Sequence, residues 1–481
     1  VYNRDCDFVY GEMKMSKSKE TKDIQEIKEN KMGMMPINRL LINMALPMMI
    51  SMLVQALYNV VDSIYVAQLS EDALTAVSLA FPMQNLMIAV AVGTGVGVNT
   101  LISRSLGAED RDMVSKATNN GLLLAFLSTI VFMIIGFTLS RTYIAYQTDI
   151  PQIIADGTQY TTIVCGASVG LFTQILFERL VQATGRPYLA MISQTSGAVV
   201  NIVLDPILIF GYFGLPAMGV AGAAIATVIG QIFGAQLGLI FCLKCNPETR
   251  LSLKDMLPCA DVIKKIYKVG VPSILMSSIG SVMTYCMNMI LSVFSSTAVA
   301  VFGIYFKLQS FVFMPVFGLN NGMVPIIAFN HGAKNPKRIY KTVRLSMIYA
   351  TGMMLIGFAL FQIIPGVFLS MFDASQQMLR IGDTALRIIS ISFIFAGFNL
   401  IASSVFQALD ASKYSMLISI ARQLIVLIPI AFALAKLTGS VHAVWFAFPI
   451  AEALALLACI FYLKRVLDKK VKPLQQEKAT V

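Results

Sequence analysis

An all-α integral membrane protein of about twelve helices in two six-helix bundles is the fold class this sequence predicts. Three observations predict it: composition, apolar spans and an internal repeat. Hydrophobic residues make up 57% and charged residues 13%, with a mean hydropathy of +0.73; soluble globular chains are far more polar. Gln84, Gly93, Gly97, Gly107, Ala108, Lys116, Gln182 and Ala183 recur at one constant offset as Gln309, Gly318, Gly322, Gly332, Ala333, Lys341, Gln407 and Ala408. Pro47 and Pro272 obey the same offset. A gapless register carried by such residues in otherwise apolar sequence implies two copies of one membrane unit, an organisation typical of transporters.

Apolar stretches of roughly 20 residues or more, enough to cross a bilayer, lie near 41 to 68, 76 to 102, 118 to 139, 153 to 178, 191 to 212 and 219 to 243. The second copy gives 270 to 294, 299 to 328, 343 to 364, 384 to 407, 416 to 436 and 443 to 463. Residues 1 to 39 are polar and lack the apolar core of a signal peptide, so they are expected to be a solvated N-terminal tail. The expected N-lobe is 40 to 243, the interlobe linker 244 to 268, the C-lobe 269 to 465 and the C-terminal tail 466 to 481.

Basic residues set the orientation. With both termini cytoplasmic, about 31 of the 37 Lys and Arg fall in cytoplasmic segments, as the positive-inside rule requires. Only Arg141, Arg380 and Lys436 fall outside. The net charge of +11 then reflects anchoring against an anionic inner leaflet, and no nucleic-acid partner is needed to explain it. Because each copy has an even number of spans, the copies are parallel repeats about an axis along the membrane normal. Rocking one bundle against the other would expose the cleft between them to either side. Gly93/Gly97, Gly318/Gly322 and Gly230/Gly234/Gly238 suit close helix contacts within or between bundles.

Charges inside a bilayer cost about 2.5 kcal/mol or more, so an intramembrane carboxylate is a functional candidate by default. On the first predicted helix Gln55, Tyr58 and Asp62 share one face, as do Asn201 and Asp205 on the fifth. Counted from the helix ends at 1.5 Å per residue, Asp62 and Asp205 agree in depth to within roughly 3 Å. Two such carboxylates can share a proton or hold Na⁺ with Asn201, Tyr58 and Gln55. Pro206 and Pro47 lack the N–H that would bind the carbonyls of Ile202 and Asn43, which marks both as candidate helix-bending points. Each of these polar groups can alternatively do no more than satisfy a neighbouring helix.

The second copy carries different charges. Its seventh and tenth predicted helices have no acidic core residue; Lys307, Glu452 and Arg422 are the intramembrane charges, and depth pairs Lys307 with Glu452. Gln84 and Gln309 are candidates for lining the central cleft or for interhelical hydrogen bonding.

The segments LPMMISMLVQALYNVVDSIYVAQLSEDALTAVSLAFP, SRSLGAEDRD, FERLVQATGRP and NIVLDPILIFGYFGLPAMGVAGAAIAT resemble the multidrug and toxic compound extrusion (MATE) family, from Pro36 to Arg465. Within it the chain is most similar to the bacterial DNA-damage-inducible (DinF-like) subfamily. The resemblance implies a cell-membrane transporter that exports small organic, often cationic, drugs in exchange for H⁺ or Na⁺, with no other cofactor. It places Asp62, Asn201 and Asp205 in an N-lobe cation site with Pro47, Gln55 and Tyr58 beside it, and makes Thr227 a further candidate. The family's other branch uses C-lobe carboxylates in helices 7 and 10, which this chain lacks.

A flippase for a lipid-linked saccharide is the alternative; its pyrophosphate would need several cationic groups in the cleft, where only Lys307 and Arg422 qualify. No enzyme is expected, since His331 and His442 fall outside the predicted span cores and no catalytic pairing spans the helices. The Cys242/Cys245 pair has no accompanying histidine, so no structural metal is expected. The oligomeric expectation is a monomer.

Overall fold

A computed structural model describes residues 30–252, 256–370 and 376–479. Its spans are α1 (Ile37–Ala67), α2 (Glu71–Gly107), α3 (Arg111–Ala145), α4 (Pro151–Gly166 with Val169–Ala183), α5 (Pro187–Phe210) and α6 (Gly219–Cys245). The second bundle follows with α7 (Ala260–Ser292), α8 (Ser296–Gly332), α9 (Pro336–Ile363), α10 (Gln376–Ser390 with Phe393–Ala408), α11 (Ser412–Thr438) and α12 (Ala447–Lys470). Among the described residues ten helices are long and apolar enough to cross a membrane, and up to twelve when the bent pairs α4 and α10 each count as one.

The repeat extends to local backbone chemistry. Ser70 caps α2 by accepting from the Ala73 N–H at 3.0 Å, and Ser295 caps α8 from Ala298 at 3.1 Å; each supplies an acceptor for an end-of-helix donor. Glu109 and Lys334, again at the constant offset, both take the left-handed conformation at φ 58° and 49°. α4 bends by 45° after Gly166 and α10 by 49° after Ser390. Pro47 and Pro206, expected bending points, lie inside α1 and α5, and each helix continues past its proline.

The repeated glycines form the contact between lobes. A Cβ on Gly97 would lie 2.3 Å from the Ile266 carbonyl of α7, and one on Gly322 would lie 2.7 Å from the Ala45 Cα of α1. At the far ends of α2 and α8, a Cβ on Gly107 would meet the Phe329 carbonyl at 1.9 Å, and one on Gly332 the Arg104 carbonyl at 1.9 Å. Only glycine allows backbones this close.

On the same face each lobe's entry segment is tied to the opposite lobe. Met32 is fully buried; its carbonyl accepts from Asn330 Nδ2 at 3.1 Å and from Arg338 at 2.9 Å, and Arg338 also binds the Met35 carbonyl at 2.8 Å. The linker before α7 docks on α3, where Asn119 and Asn120 accept from the Ser252 and Cys259 N–H groups, each at 2.9 Å. The expected solvated tail is corrected over residues 30–35, because a buried methionine and a guanidinium fork hold that stretch; residues 1–29 lie outside the described residues. The expected linker is also shorter, since α7 begins at Ala260.

Candidate functional site

The pocket of the first lobe starts from a glycine crossing. A Cβ on Gly197 of α5 would lie 2.7 Å from the Gly230 carbonyl of α6, and one on Gly230 would lie 3.0 Å from the Asn201 Cβ. That approach puts Thr227 beside Asn201, whose Nδ2 donates to Thr227 Oγ1 at 3.3 Å and to Asp205 Oδ1 at 3.4 Å. Asn201, Asp205 and Thr227 are all buried. Tyr58 and Asp62 come from α1; Tyr58 faces Thr227 and lies within electrostatic range of both Asp62 and Asp205. Tyr160 of α4 completes the ring, facing Gln84 of α2 and close to Tyr58, Asp62 and Asp205.

Three buried oxygens in this ring have no hydrogen-bond partner: Asp62 Oδ1, Asn201 Oδ1 and Asp205 Oδ2. Each such group costs about 1–3 kcal/mol if left unsatisfied, and two nearby carboxylates also repel. A proton or a hard cation answers both costs, because Na⁺-type ions are held by carboxylate and amide oxygens. The depth match read for Asp62 and Asp205 therefore corresponds to a common pocket. Gln55 is not part of it: its Oε1 accepts from Gln194 Nε2 at 3.0 Å, and Gln194 in turn binds Ser51. Gln55 is thus engaged across the α1–α5 contact, about two turns along α1 from Asp62. Gln84 belongs to this first-lobe ring rather than to the second lobe.

Two adjacent buried charges on α4, Glu178 and Arg179, are absent from the sequence-based candidates. Glu178 Oε1 accepts from Gln174 Nε2 at 3.0 Å, while Arg179 donates to Gln182 Oε1 and, across the lobes, to Asn321 Oδ1 of α8, both at 3.0 Å. Glycines make the room: a Cβ on Gly95 would lie 2.8 Å from Arg179 Cγ, and one on Gly234 would lie 2.9 Å from the Gln174 amide. These charges sit at the end of the apolar stretch 153 to 178, where a charge is ordinary and draws no notice. The available signal was the small-residue positions facing them.

In the second lobe Glu452 of α12 is saturated. Arg422 of α11 binds one carboxylate oxygen, and Asn399 Nδ2 of α10 donates to the other at 2.7 Å and to the Glu452 carbonyl at 3.0 Å. The expected partner, Lys307, is replaced by Arg422 for a geometric reason. Tyr305 of α8 faces this pair, and a residue two positions further along a helix points to the other side; Lys307 is exposed. Gln309 Oε1 is buried without a partner. Asp383 lies inside α10 because that helix starts earlier than read, but it is exposed and pairs with Arg387 at 2.9 Å. Among the described residues no group of three His, Cys, Asp or Glu side chains could hold a metal ion.

Comparison with known proteins agrees with this architecture. The MatE family model matches residues 47–207 and 272–433, one block in each lobe. The multidrug export protein MepA of Staphylococcus aureus (strain MRSA252) is 26% identical over 435 residues, covering 89% of this chain and 94% of its own. MepA of Staphylococcus haemolyticus (strain JCSC1435) is 24% identical, covering 85% and 89%. In fold the chain is similar to an outward-facing multidrug resistance MATE family transporter of the MOP superfamily, with a TM-score of 0.86, 22% identity and coverage of 95% of this chain and all of that one. A MOP superfamily transporter from Pyrococcus furiosus gives a TM-score of 0.83 at 23% identity, covering 93% and 99%. Two matched blocks, the duplicated bundle and the shared architecture make this chain a member of the MATE family of membrane transporters, not an enzyme.

Proposed function

We propose that this chain exports small organic, often cationic, compounds across the cell membrane in exchange for H⁺ or Na⁺, by alternating access between two lobes. The observation that carries the reading is the set of unpartnered oxygens on Asp62, Asn201 and Asp205, a pocket that lacks a positive charge. MepA's description as a multidrug export protein supports the substrate class. Basic-residue placement puts the termini and the Gly107/Gly332 crossing on the cytoplasmic side, and the chain works as a monomer. Carboxylates in the first lobe, and none in the cores of α7 and α10, favour the DinF-like branch.

Ion binding at Asp62 and Asp205 neutralises the pocket, alters α1 packing toward Pro47 and favours outward release of drug. Return of the ion to the cytoplasm restores the carboxylates and the inward-facing state. One charge moving across 100 mV supplies about 2.3 kcal/mol, close to a fiftyfold gradient. Ethidium efflux by energised cells, with pH and Na⁺ gradients imposed separately, tests this. Asp62→Asn and Asp205→Asn, correctly inserted, should lose gradient-driven efflux, and the effective gradient identifies the ion. Normal efflux by both variants sinks the assignment.

A further inference from the structure

We propose that Arg422 is a tethered cation that permanently fills the second lobe's counterpart of the first-lobe pocket, so that only the first lobe exchanges an ion. The inference rests on the coupling role proposed above for the first lobe.

The offset that relates Gln84 to Gln309 also relates Thr227 to Glu452 and Gln174 to Asn399. These pairs make α12 and α10 the repeat mates of α6 and α4, and the same offset sets Arg422 of α11 on Gly197 of α5, the glycine whose crossing with α6 opens the first pocket. Around Glu452 the chain again assembles oxygen ligands: the carboxylate itself and Asn399 Oδ1, which is buried and has no partner. The orientation of the Asn399 amide is set by its Nδ2, which donates to both Glu452 acceptors. Carboxylate plus amide oxygen is the donor set of the first pocket, and of hard cations generally.

What differs is the occupant. In the first lobe carboxylate oxygens are left unpartnered; in the second the Arg422 guanidinium lies on Glu452. The backbone departs from the repeat at the same place. Arg422 lies in a π-helical stretch, Ala421–Leu427, whereas α5 is α-helical throughout. A local widening of this kind often marks a functional position. A guanidinium keeps its proton under all physiological conditions and cannot leave its helix, so it balances Glu452 without carrying charge across the membrane. Among the described residues, Tyr305 of α8 and Cys459 of α12 are titratable groups within electrostatic range of the pair.

The full chain reconstituted in liposomes gives the test. The Na⁺ or H⁺ gradient at which ethidium flux reverses reports the number of ions exchanged per ethidium. Arg422→Gln should raise that ratio by one ion, Arg422→Lys should keep the wild-type ratio, and the double variant Arg422→Gln/Glu452→Gln should return to it. An unchanged ratio in Arg422→Gln, or a raised ratio in the double variant, overturns the proposal. If Arg422→Gln does not transport, its melting temperature is read in Na⁺ against choline and at pH 5 against pH 8. A rise with Na⁺ or with acid that the double variant lacks supports an exchangeable ion at Glu452, and the absence of any rise overturns it. Asp205→Asn alone reads the first-lobe assignment, so failure there is distinguishable from failure at Arg422.

Discussion

The two lobes share a frame and differ in what they do with charge. Glycine crossings, serine caps and left-handed loop residues obey one offset, and the bends of α4 and α10 fall within one residue of it. In the first lobe, however, Asp62 and Asp205 keep oxygens without partners, while in the second Glu452 is bound by Arg422 and Asn399. Backbone packing tolerates little change, because a misplaced Cβ meets another helix. A buried charge is held to a different rule, since any partner that neutralises it will serve. Duplication therefore preserves the frame and leaves the polar interior free to specialise.

The largest expected effect separates the lobes. Asp205→Asn should reduce gradient-driven ethidium efflux to background while leaving the melting temperature near wild type, because an amide still accepts from Asn201 and the charge it removes has no ionic partner. Efflux at wild-type rate would erase the functional difference between the lobes.

The frame itself predicts symmetry. Gly107→Ala and Gly332→Ala each drive a methyl group into a backbone carbonyl at the crossing of α2 and α8. Overpacking of this kind costs about 1–3 kcal/mol, which on a closed-state equilibrium is about five- to 160-fold. Both variants should slow efflux to a similar extent, as followed by ethidium fluorescence in cells with matched expression. Unequal losses would mean that the crossing bears more load in one lobe than in the other.

Glu452→Gln should act mainly on stability. Removing one partner of a buried pair strands the other, a loss of about 3 kcal/mol for a pair that is partly accessible. The melting temperature in detergent should fall clearly below that of Asp205→Asn, and adding Arg422→Gln should recover most of the loss. If Asp205→Asn were the less stable of the two, the distinction between a coupling carboxylate and a satisfied one would fail.

Most of the frame was legible because hydropathy, small residues and repeat spacing are one-dimensional signals. The twelve spans, the two bundles and the common depth of Asp62 and Asp205 follow from them. Partner choice was not legible in the same way. Depth matched Lys307 to Glu452 well, but rotation about the α8 axis decides the contact and turns Tyr305, not Lys307, toward the pair. Glu178 and Arg179 were hidden by the reverse problem: glycines on two other helices create the space that lets them stay buried in the lobe. Gln55 was read on the right helix face but is claimed by Gln194. Met32 falls in the stretch expected to be a polar tail, and the groups that hold it, Asn330 and Arg338 on its carbonyl and Gly185 beside its side chain, are all distant in sequence.

The smallest effect concerns the entry segments, which tie each lobe to its neighbour. Lys31, beside Met32, approaches the first lobe at Gly185, while Asn330 and Arg338 hold the Met32 carbonyl from the second. Burial, and then the nearby Arg186 guanidinium, lower Lys31 from its ordinary 10.5 to about 8. The docked segment thus binds fewer protons than the released one between those two values, so docking strengthens as pH rises through that window and weakens as pH falls to about 8. Protease protection of residues 30–35 should accordingly increase from pH 8 to pH 10, and Lys31→Met should be protected at both. Equal protection of the wild type across the window would show that Lys31 keeps its charge when docked, and that the backbone bonds from Asn330 and Arg338 alone hold the first lobe's entry segment to the second lobe.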